Sequence, residues 1–309
     1  MGWLAVDRSI EDQRRGFAAL LLLTEVGMPE HLHRPRTLGG VACLELEPDS
    51  GTPARFSSGD SGEGSEWPQI MFVHGGGYAW GSPRTHRPLA ARIAASARAR
   101  LILPTYRRAP EHPCPAGLDD VLRAWRALPE AERRRTILAG DSAGGGLAIA
   151  AAMCLRDTGE PGPAGLALLS PWTDLTMSGA SIDEMAAFEV LLGSSGLEHM
   201  AAQYVGRAPD ALDREDFRVS PLFGRWAGLP PMLIQVGGRE VLLDDARRVA
   251  ARAEAAGVSV TLEVWEGQQH VFQATPMSAA ASEAIIDIGA WARAVWAGEH
   301  GGIDHEKAR

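Results

Sequence analysis

Residues 136–146 read Thr136-Ile-Leu-Ala-Gly-Asp-Ser142-Ala-Gly-Gly-Gly146, and an alanine-rich stretch continues to residue 156. Thr136 to Ala139 is a short continuous apolar run, the pattern of a strand buried on both faces, and residues 143–156 have the pattern of a helix. Between them stands G-x-S-x-G. A strand that turns into a helix over so few residues needs glycine on both sides of the serine, because the turn is tight and the serine backbone is strained. The helix start then offers a backbone N–H and a positive dipole end to an oxyanion developing beside the serine. A glycine-rich turn with a mere serine cap would use the same residue types. The rest of the chain chooses between the two.

Outward from this turn, strand and helix alternate. Strands are predicted at Gln69 to Val73, Leu101 to Leu103, Leu166 to Leu169, Met232 to Val236 and Val258 to Trp265, and helices over 84–98, 117–128, 243–256 and 277–297. This rhythm specifies an α/β fold, a mostly parallel central sheet flanked by helices. Val41 to Glu47 is also strand-like. Residues 8–27 carry Ile10, Phe17, Leu20, Leu21 and Val26 at helical spacing until Gly27 and Pro29 stop the pattern. Residues 48–68, rich in Ser, Gly, Pro and acid, read as a surface loop. Residues 172–228 break the rhythm with helix-like pieces near 180–190 and 194–204 and no strand, hence an insertion. No repeat of solenoid length is visible.

His74-Gly-Gly-Gly77 directly follows the strand 69–73. Backbone amides of such a turn point into a cavity and supply further oxyanion donors. Neither G-K-[ST] nor G-x-G-x-x-G accompanies it, so a phosphate cradle is not indicated. A serine becomes nucleophilic near neutral pH only with a base, and the base needs an acid to fix its tautomer. Behind an elbow of this kind the chain order is serine, acid, histidine. Of His199, His270, His300 and His305, the histidines after Ser142, the last two lie in a polar tail and His199 in the insertion. His270 follows the strand 258–265 and is the candidate base. The acid should follow the strand 232–236, where Glu240, Asp244 and Asp245 compete. Glu240 is nearest the strand end and is favoured, because Asp244 and Asp245 fall where a helix begins and carboxylates serve as caps. A second serine motif, Gly59-Asp-Ser-Gly62, has no flanking strands and reads as solvated loop.

The chain has 309 residues and a formal charge of −9, and only Lys307 among its 30 basic residues is lysine. That length suits one large α/β domain or two small domains. Its acidity disfavours nucleic acid as a partner. Cys43, Cys114 and Cys154 are odd in number and lack C-x-x-C spacing, so unpaired thiols in a reducing compartment are expected. H-E-x-x-H and Cys/His pairings are absent, so no metal and no cofactor are implied. The first residues lack a basic stretch followed by an apolar run, and Val6 stands where a myristoylation signal needs Ser or Thr. With Leu20 to Leu23 too short to span a bilayer, a cytoplasmic protein with no membrane partner is expected.

Together these residues resemble the hormone-sensitive-lipase-like family of α/β-hydrolases, bacterial esterases with H-G-G-G and G-D-S-A-G-G. Tyr106-Arg107, Ala109-Pro-Glu-His-Pro113 with Pro115-Ala116, and Ser170-Pro-Trp-Thr-Asp-Leu175 extend the likeness over roughly residues 38–297. The stretch Gly237 to Asp245 is similar to the branch whose acid is glutamate. The resemblance implies a single α/β-hydrolase domain over 1–309, with a helical cap contributed by about 1–36 and 172–217. It implies a carboxylic ester hydrolase acting on short-chain acyl esters, or lactones, through an acyl-serine on Ser142, with His270 and Glu240. An acyltransferase using the same acyl-serine is the alternative, and a non-catalytic binding module on this fold would be marked by loss of the serine or the histidine.

By the same resemblance the oxyanion donors are the amides of Gly76, Gly77 and Ala143, while Asp141 and Glu111 brace the loops beneath the site. Tyr78, Trp80, Trp172, Phe188, Tyr204 and Val271 line the substrate pocket, the partner is a small-molecule ester, and a homodimer is common. Trp80, Arg108, Cys114 and Gln268 depart from the family's usual residues. Trp80 and Gln268 bear on substrate range, because a bulky ring or an amide beside the pocket narrows it.

Overall fold

The computed structural model describes residues 8–25, 28–29, 31–48, 67–190, 192–209, 211–299 and 304–308. The strands are β1 (His31–Leu38), β2 (Val41–Pro48), β3 (Gln69–Val73), β4 (Arg100–Pro104), β5 (Thr136–Asp141), β6 (Gly165–Leu169), β7 (Met232–Gly237), β8 (Val260–Trp265) and β9 (Asp304–Ala308). They form one sheet in the order β1-β2-β4-β3-β5-β6-β7-β8-β9. The two pairings that involve β2 are antiparallel, and every pairing from β4 to β9 is parallel. The helices are α1 (Ile10–Leu22), α2 (Pro83–Ala97), α3 (Ala116–Arg126), α4 (Glu130–Arg133), α5 (Ala143–Asp157), α6 (Ser181–Glu184), α7 (Ser194–Val205), α8 (Leu243–Ala255) and α9 (Ala279–Ala297).

Every residue of β3 to β7 is buried, which is why these strands read as unbroken apolar runs. Their side chains still alternate between two cores. Met71, Val73, Ile102, Leu138, Leu166 and Leu168 join the core containing α3, α5 and α8. Ile70, Phe72, Leu101, Leu103, Ile137, Ala139, Ala167 and Leu169 join the core beneath α2 and α9. Burial of each such Leu, Ile, Val or Phe contributes about 1.5–3 kcal/mol, so both helical layers are required.

Three stretches differ from expectation. Residues 31–36, assigned from sequence to a cap, form most of β1, the outer strand of the sheet. His31 to Leu38 has no apolar alternation and carries Pro35, which only an edge strand tolerates. A two-residue Gly39-Gly40 turn folds it onto β2, with Leu38 opposite Val41. Asp304–Ala308, read as polar tail, pairs with β8 as a short edge strand. The first helix ends at Leu22 and passes into a 3-10 turn, Leu23–Glu25, with Val26 and Gly27 outside the described residues. Gly59 to Gly62, and all of the loop 48–68 except Pro48, Trp67 and Pro68, also lie outside them. Between residues 172 and 228 the described residues hold α6 and α7 and no strand, as the broken rhythm indicated.

Ile137 is fully buried and lies opposite both Ile70 and Gly165 in the sheet. Ile137→Ala is expected to lower the unfolding free energy by about 2–5 kcal/mol, read as a lower urea midpoint with an unchanged m-value.

Candidate active site

The residues singled out from sequence meet at the carboxyl ends of the parallel strands, where open α/β sheets bind ligands. His74 follows β3, Ser142 follows β5, Ser170 follows β6, Glu240 follows β7 and His270 follows β8. Ser142 has φ 51 and ψ −124, a strained conformation for a residue with a Cβ. It is held by flanking hydrogen bonds, its N–H to Leu169 O at 2.8 Å and its carbonyl accepting the Trp172 N–H at 2.9 Å. Helix α5 begins one residue later, pressed against β3. A Cβ on Gly144 would lie 2.0 Å from Val73 O and 2.6 Å from His74 O, so only glycine fits there.

Opposite the serine, the 74–81 loop curls back through Trp80 N–H to Gly76 O, 2.7 Å. Gly77 has φ +58, and a Cβ there would meet Met200 Sδ of α7 at 2.0 Å. Among the described residues the amides of Gly76, Gly77 and Ala143 donate to no group of the protein. Asp141 Oδ1 accepts the Gly75 N–H at 2.9 Å and Oδ2 lies 3.4 Å from His86 Nε2. Burial works to raise the Asp141 pKa, but His86 and the Gly75 N–H outweigh it and hold the carboxyl below its ordinary value. His74, stacked on Tyr106 at 4.3 Å, is pushed down to about 3 by burial and then by His86, so it stays neutral.

Glu240 is fully buried with both oxygens engaged. Oε1 lies 2.9 Å from His270 Nδ1, and Oε2 accepts the Ser170 hydroxyl at 2.7 Å and the Gly237 N–H at 2.8 Å. Burial of His270 disfavours its charged form, yet the facing Glu240 carboxylate, with smaller help from Glu189 and Asp141, raises its pKa above 6.5. The competing acids do other work. Asp244 accepts the Ser181 N–H at 2.9 Å. Asp245 accepts the N–H groups of Thr173 and Asp174 at 2.7 and 2.9 Å and pairs with Arg248 at 3.0 Å. Both fasten the start of the insertion to the first turn of α8. His199 contacts Gln203 within α7 at 2.8 Å.

A family model described as the α/β-hydrolase fold matches residues 70–274. The chain is 44% identical over 205 residues to an acetyl-hydrolase of Streptomyces hygroscopicus, covering 66% of this chain and 67% of that one. It is 36% identical over 226 residues to an esterase of Acinetobacter venetianus, with 72% and 74% covered. A crystal structure of an esterase from the bacterial hormone-sensitive lipase family superposes with a TM-score of 0.83 at 36% identity, covering 93% of this chain and 91% of that one. This chain belongs to the hormone-sensitive-lipase-like α/β-hydrolases. It is a serine carboxylesterase.

In this esterase the aromatic residues expected around a pocket are distributed unevenly. Tyr78 and Tyr204 stack at 3.8 Å, and the Tyr78 hydroxyl donates to Trp172 O at 3.1 Å, so these three rings pack inside the core. Trp80 is also enclosed, its indole N–H on Gln13 at 3.1 Å and its ring 5.8 Å from Phe17. Its bulk therefore serves to join the 74–81 loop to α1. Phe188 is half exposed with the Arg239 guanidinium 5.8 Å from its ring, and Val271 is partly exposed. Arg108 caps Gly81 O, and Cys114 Sγ contacts Arg218 O at 3.5 Å. Gln268 takes part through its carbonyl, which accepts the Arg239 N–H at 3.0 Å. All three cysteines are free, and burial pushes the thiols of Cys43 and Cys114 up to about 11, which leaves them unreactive near neutral pH.

Sequence reasoning did not single out His86, Arg14 or any role for Ser170. Arg14 of α1 binds Glu111 through two contacts of 2.7 Å and also reaches Ala79 O at 2.9 Å and Ala109 O at 3.0 Å. Glu111 thus braces the 74–81 loop from the surface through Arg14. The partners of Arg14 lie 65 to 97 residues away in the chain, and nothing in the periodicity of α1 marks Arg14 as their partner. Among the described residues no helix is long and apolar enough to cross a membrane, and no cluster of three metal-ligating side chains occurs.

The charge environment of His270 is directly measurable. Its imidazole is expected to titrate above 6.5 by NMR, and Glu240→Gln should move the midpoint down, because burial is then unopposed by the carboxylate. A midpoint unmoved by that substitution contradicts the pairing.

Proposed function

We propose that Ser142 is the nucleophile, His270 the general base and Glu240 the acid of the esterase, and that the amides of Gly76, Gly77 and Ala143 form the oxyanion hole. The observation that carries this reading is the buried Glu240–His270 contact of 2.9 Å, made through Nδ1. With Nδ1 occupied by the carboxylate, Nε2 is the nitrogen left for the serine proton. His270 takes that proton as Ser142 Oγ attacks the ester carbonyl carbon. The tetrahedral oxyanion lies against the three amides, whose positions are fixed by the loop and by the start of α5. His270 then gives the proton to the leaving alcohol, and an acyl-serine remains. Water, deprotonated by His270, attacks the acyl carbon, and collapse of the second tetrahedral state releases the carboxylic acid and restores Ser142. Glu240 orients the imidazole and stabilises its charged form throughout.

Short acyl chains are the substrates this reading favours, lactones among them. The supports are the similarity to an acetyl-hydrolase and the dense packing behind the oxyanion loop, where Tyr78, Trp172 and Tyr204 leave little accessible surface. The cap comprises α1 and part of 172–217, with Phe188 of the cap and Val271 of the histidine loop as accessible apolar contacts toward substrate. A homodimer is the form the family resemblance favours, and sedimentation velocity reads the oligomeric state.

Two measurements test the proposal. Ser142→Ala should lower 4-nitrophenyl butyrate turnover by at least about 10⁴-fold with an unchanged circular-dichroism spectrum, and full activity in that variant refutes the assignment. A series of 4-nitrophenyl esters of increasing acyl length should show kcat/KM highest at acetate to butyrate and falling with longer chains. A preference for long acyl chains overturns the substrate assignment and leaves the triad standing.

A further inference from the structure

Ser170 is fully buried and stands outside the nucleophile, base and acid, yet its hydroxyl makes two contacts at the centre of the site. It donates to Glu240 Oε2 at 2.7 Å and accepts the Val271 N–H at 3.1 Å. The other oxygen of the same carboxylate faces His270 Nδ1 at 2.9 Å. The result is a closed circuit: the side chain of residue 270 and the amide of residue 271 are tied to one carboxylate, the first directly and the second through Ser170.

The fold places Ser170 between its clients. It follows β6, flanked by β5, which leads to Ser142, and β7, which leads to Glu240. Its N–H donates to Gln235 O of β7 at 2.7 Å, and the Ser142 N–H donates to Leu169 O, one residue earlier, at 2.8 Å. Ser170 and Val271 have φ of 46 and 50, left-handed values unfavourable for residues with a Cβ. Two adjoining residues in that region meet through one hydroxyl hydrogen bond, so the surrounding contacts hold both.

The last torsion of a glutamate is soft, with broad wells and no strong staggered preference. A single contact on Oε2 leaves the carboxylate free to turn about that torsion and carry Oε1 away from the imidazole. Two contacts on Oε2, the Gly237 N–H from its own loop and the Ser170 hydroxyl from the neighbouring strand end, remove that freedom. We propose that Ser170 is a positioning residue of the esterase, which locks the Glu240 carboxylate toward His270 and fastens the histidine loop to it. The inference rests on the triad proposed above.

The test is a double-mutant cycle with Ser170→Ala, Glu240→Ala and the combination, assayed on 4-nitrophenyl butyrate. Ser170→Ala should lower kcat about 10- to 100-fold, the scale of a misplaced catalytic group, with KM within about 2-fold of the parent. In the Glu240→Ala background the same substitution should change kcat by less than about 2-fold, because no carboxylate remains to orient. Ser170→Gly removes the same hydroxyl but relieves the left-handed backbone, so it should reproduce the kcat loss with a smaller loss of stability than Ser170→Ala. An equal loss in both backgrounds, or an unchanged kcat in Ser170→Ala or Ser170→Gly, overturns the positioning role. Turnover that survives Ser142→Ala sinks the triad itself, a different result from either.

Discussion

The structure depends on how closely the start of α5 is pressed against the end of β3. With Val73 O and His74 O within 2.0 and 2.6 Å of where a Cβ on residue 144 would sit, the helix packs backbone to backbone on the sheet. That contact leaves no room for a relaxed connection between β5 and α5. The chain turns within one residue, Ser142 takes up φ 51, and its side chain is projected out of the turn. The same approach brings the 74–81 loop alongside the helix start, so the amides of Gly76 and Gly77 come from one strand end and that of Ala143 from another. Packing thus sets Ser142 and these three amides together.

Around this contact the buried carboxyl groups are each hydrogen-bonded by specific partners. Glu240 has three hydrogen-bond partners, Asp141 joins the Gly75 amide to His86, and Asp245 gathers two amides and an arginine. A carboxylate in a dry interior is costly unless it is hydrogen-bonded, and each hydrogen bond to such a group contributes about 1.5–3 kcal/mol. These carboxylates therefore act as cross-links. Each joins loops from different strand ends, and the loops inherit the rigidity of the sheet. Helix α1 adds an outer clasp through Arg14, Gln13 and Phe17, which reach the 74–81 loop and the Ala109 segment.

Much of this was legible before the structure. The continuous apolar runs of β3 to β7 announced strands covered on both faces, and the punctuation by glycine placed their ends. Ser142 and the His74 loop were marked by motif and by position behind a strand. His270 and Glu240 emerged from the order in which acid and base follow the serine, and Asp244 and Asp245 from their place at a helix start. β1 and β9 were missed because an edge strand has one covered side at most and needs no apolar alternation. Pro35 and the polar Asp304–Ala308 segment carry no periodic signal, and their strand character exists only through the neighbour they pair with.

The sequence by itself determined the alternation of strand and helix, the elbow and the three residue types of the site, because these rest on local steric limits and on hydrophobic period. Tertiary structure alone decided which carboxylate faces the imidazole, that Trp80 meets Gln13 and Phe17 of α1, and that Ser170, His86 and Arg14 reach the residues of the site. Their contacts join segments 65 to 101 residues apart for Arg14, Asp141 and Ser170. Hydrogen-bond partners at such separations are chosen by the meeting of strand ends in space, and a one-dimensional pattern does not encode that meeting.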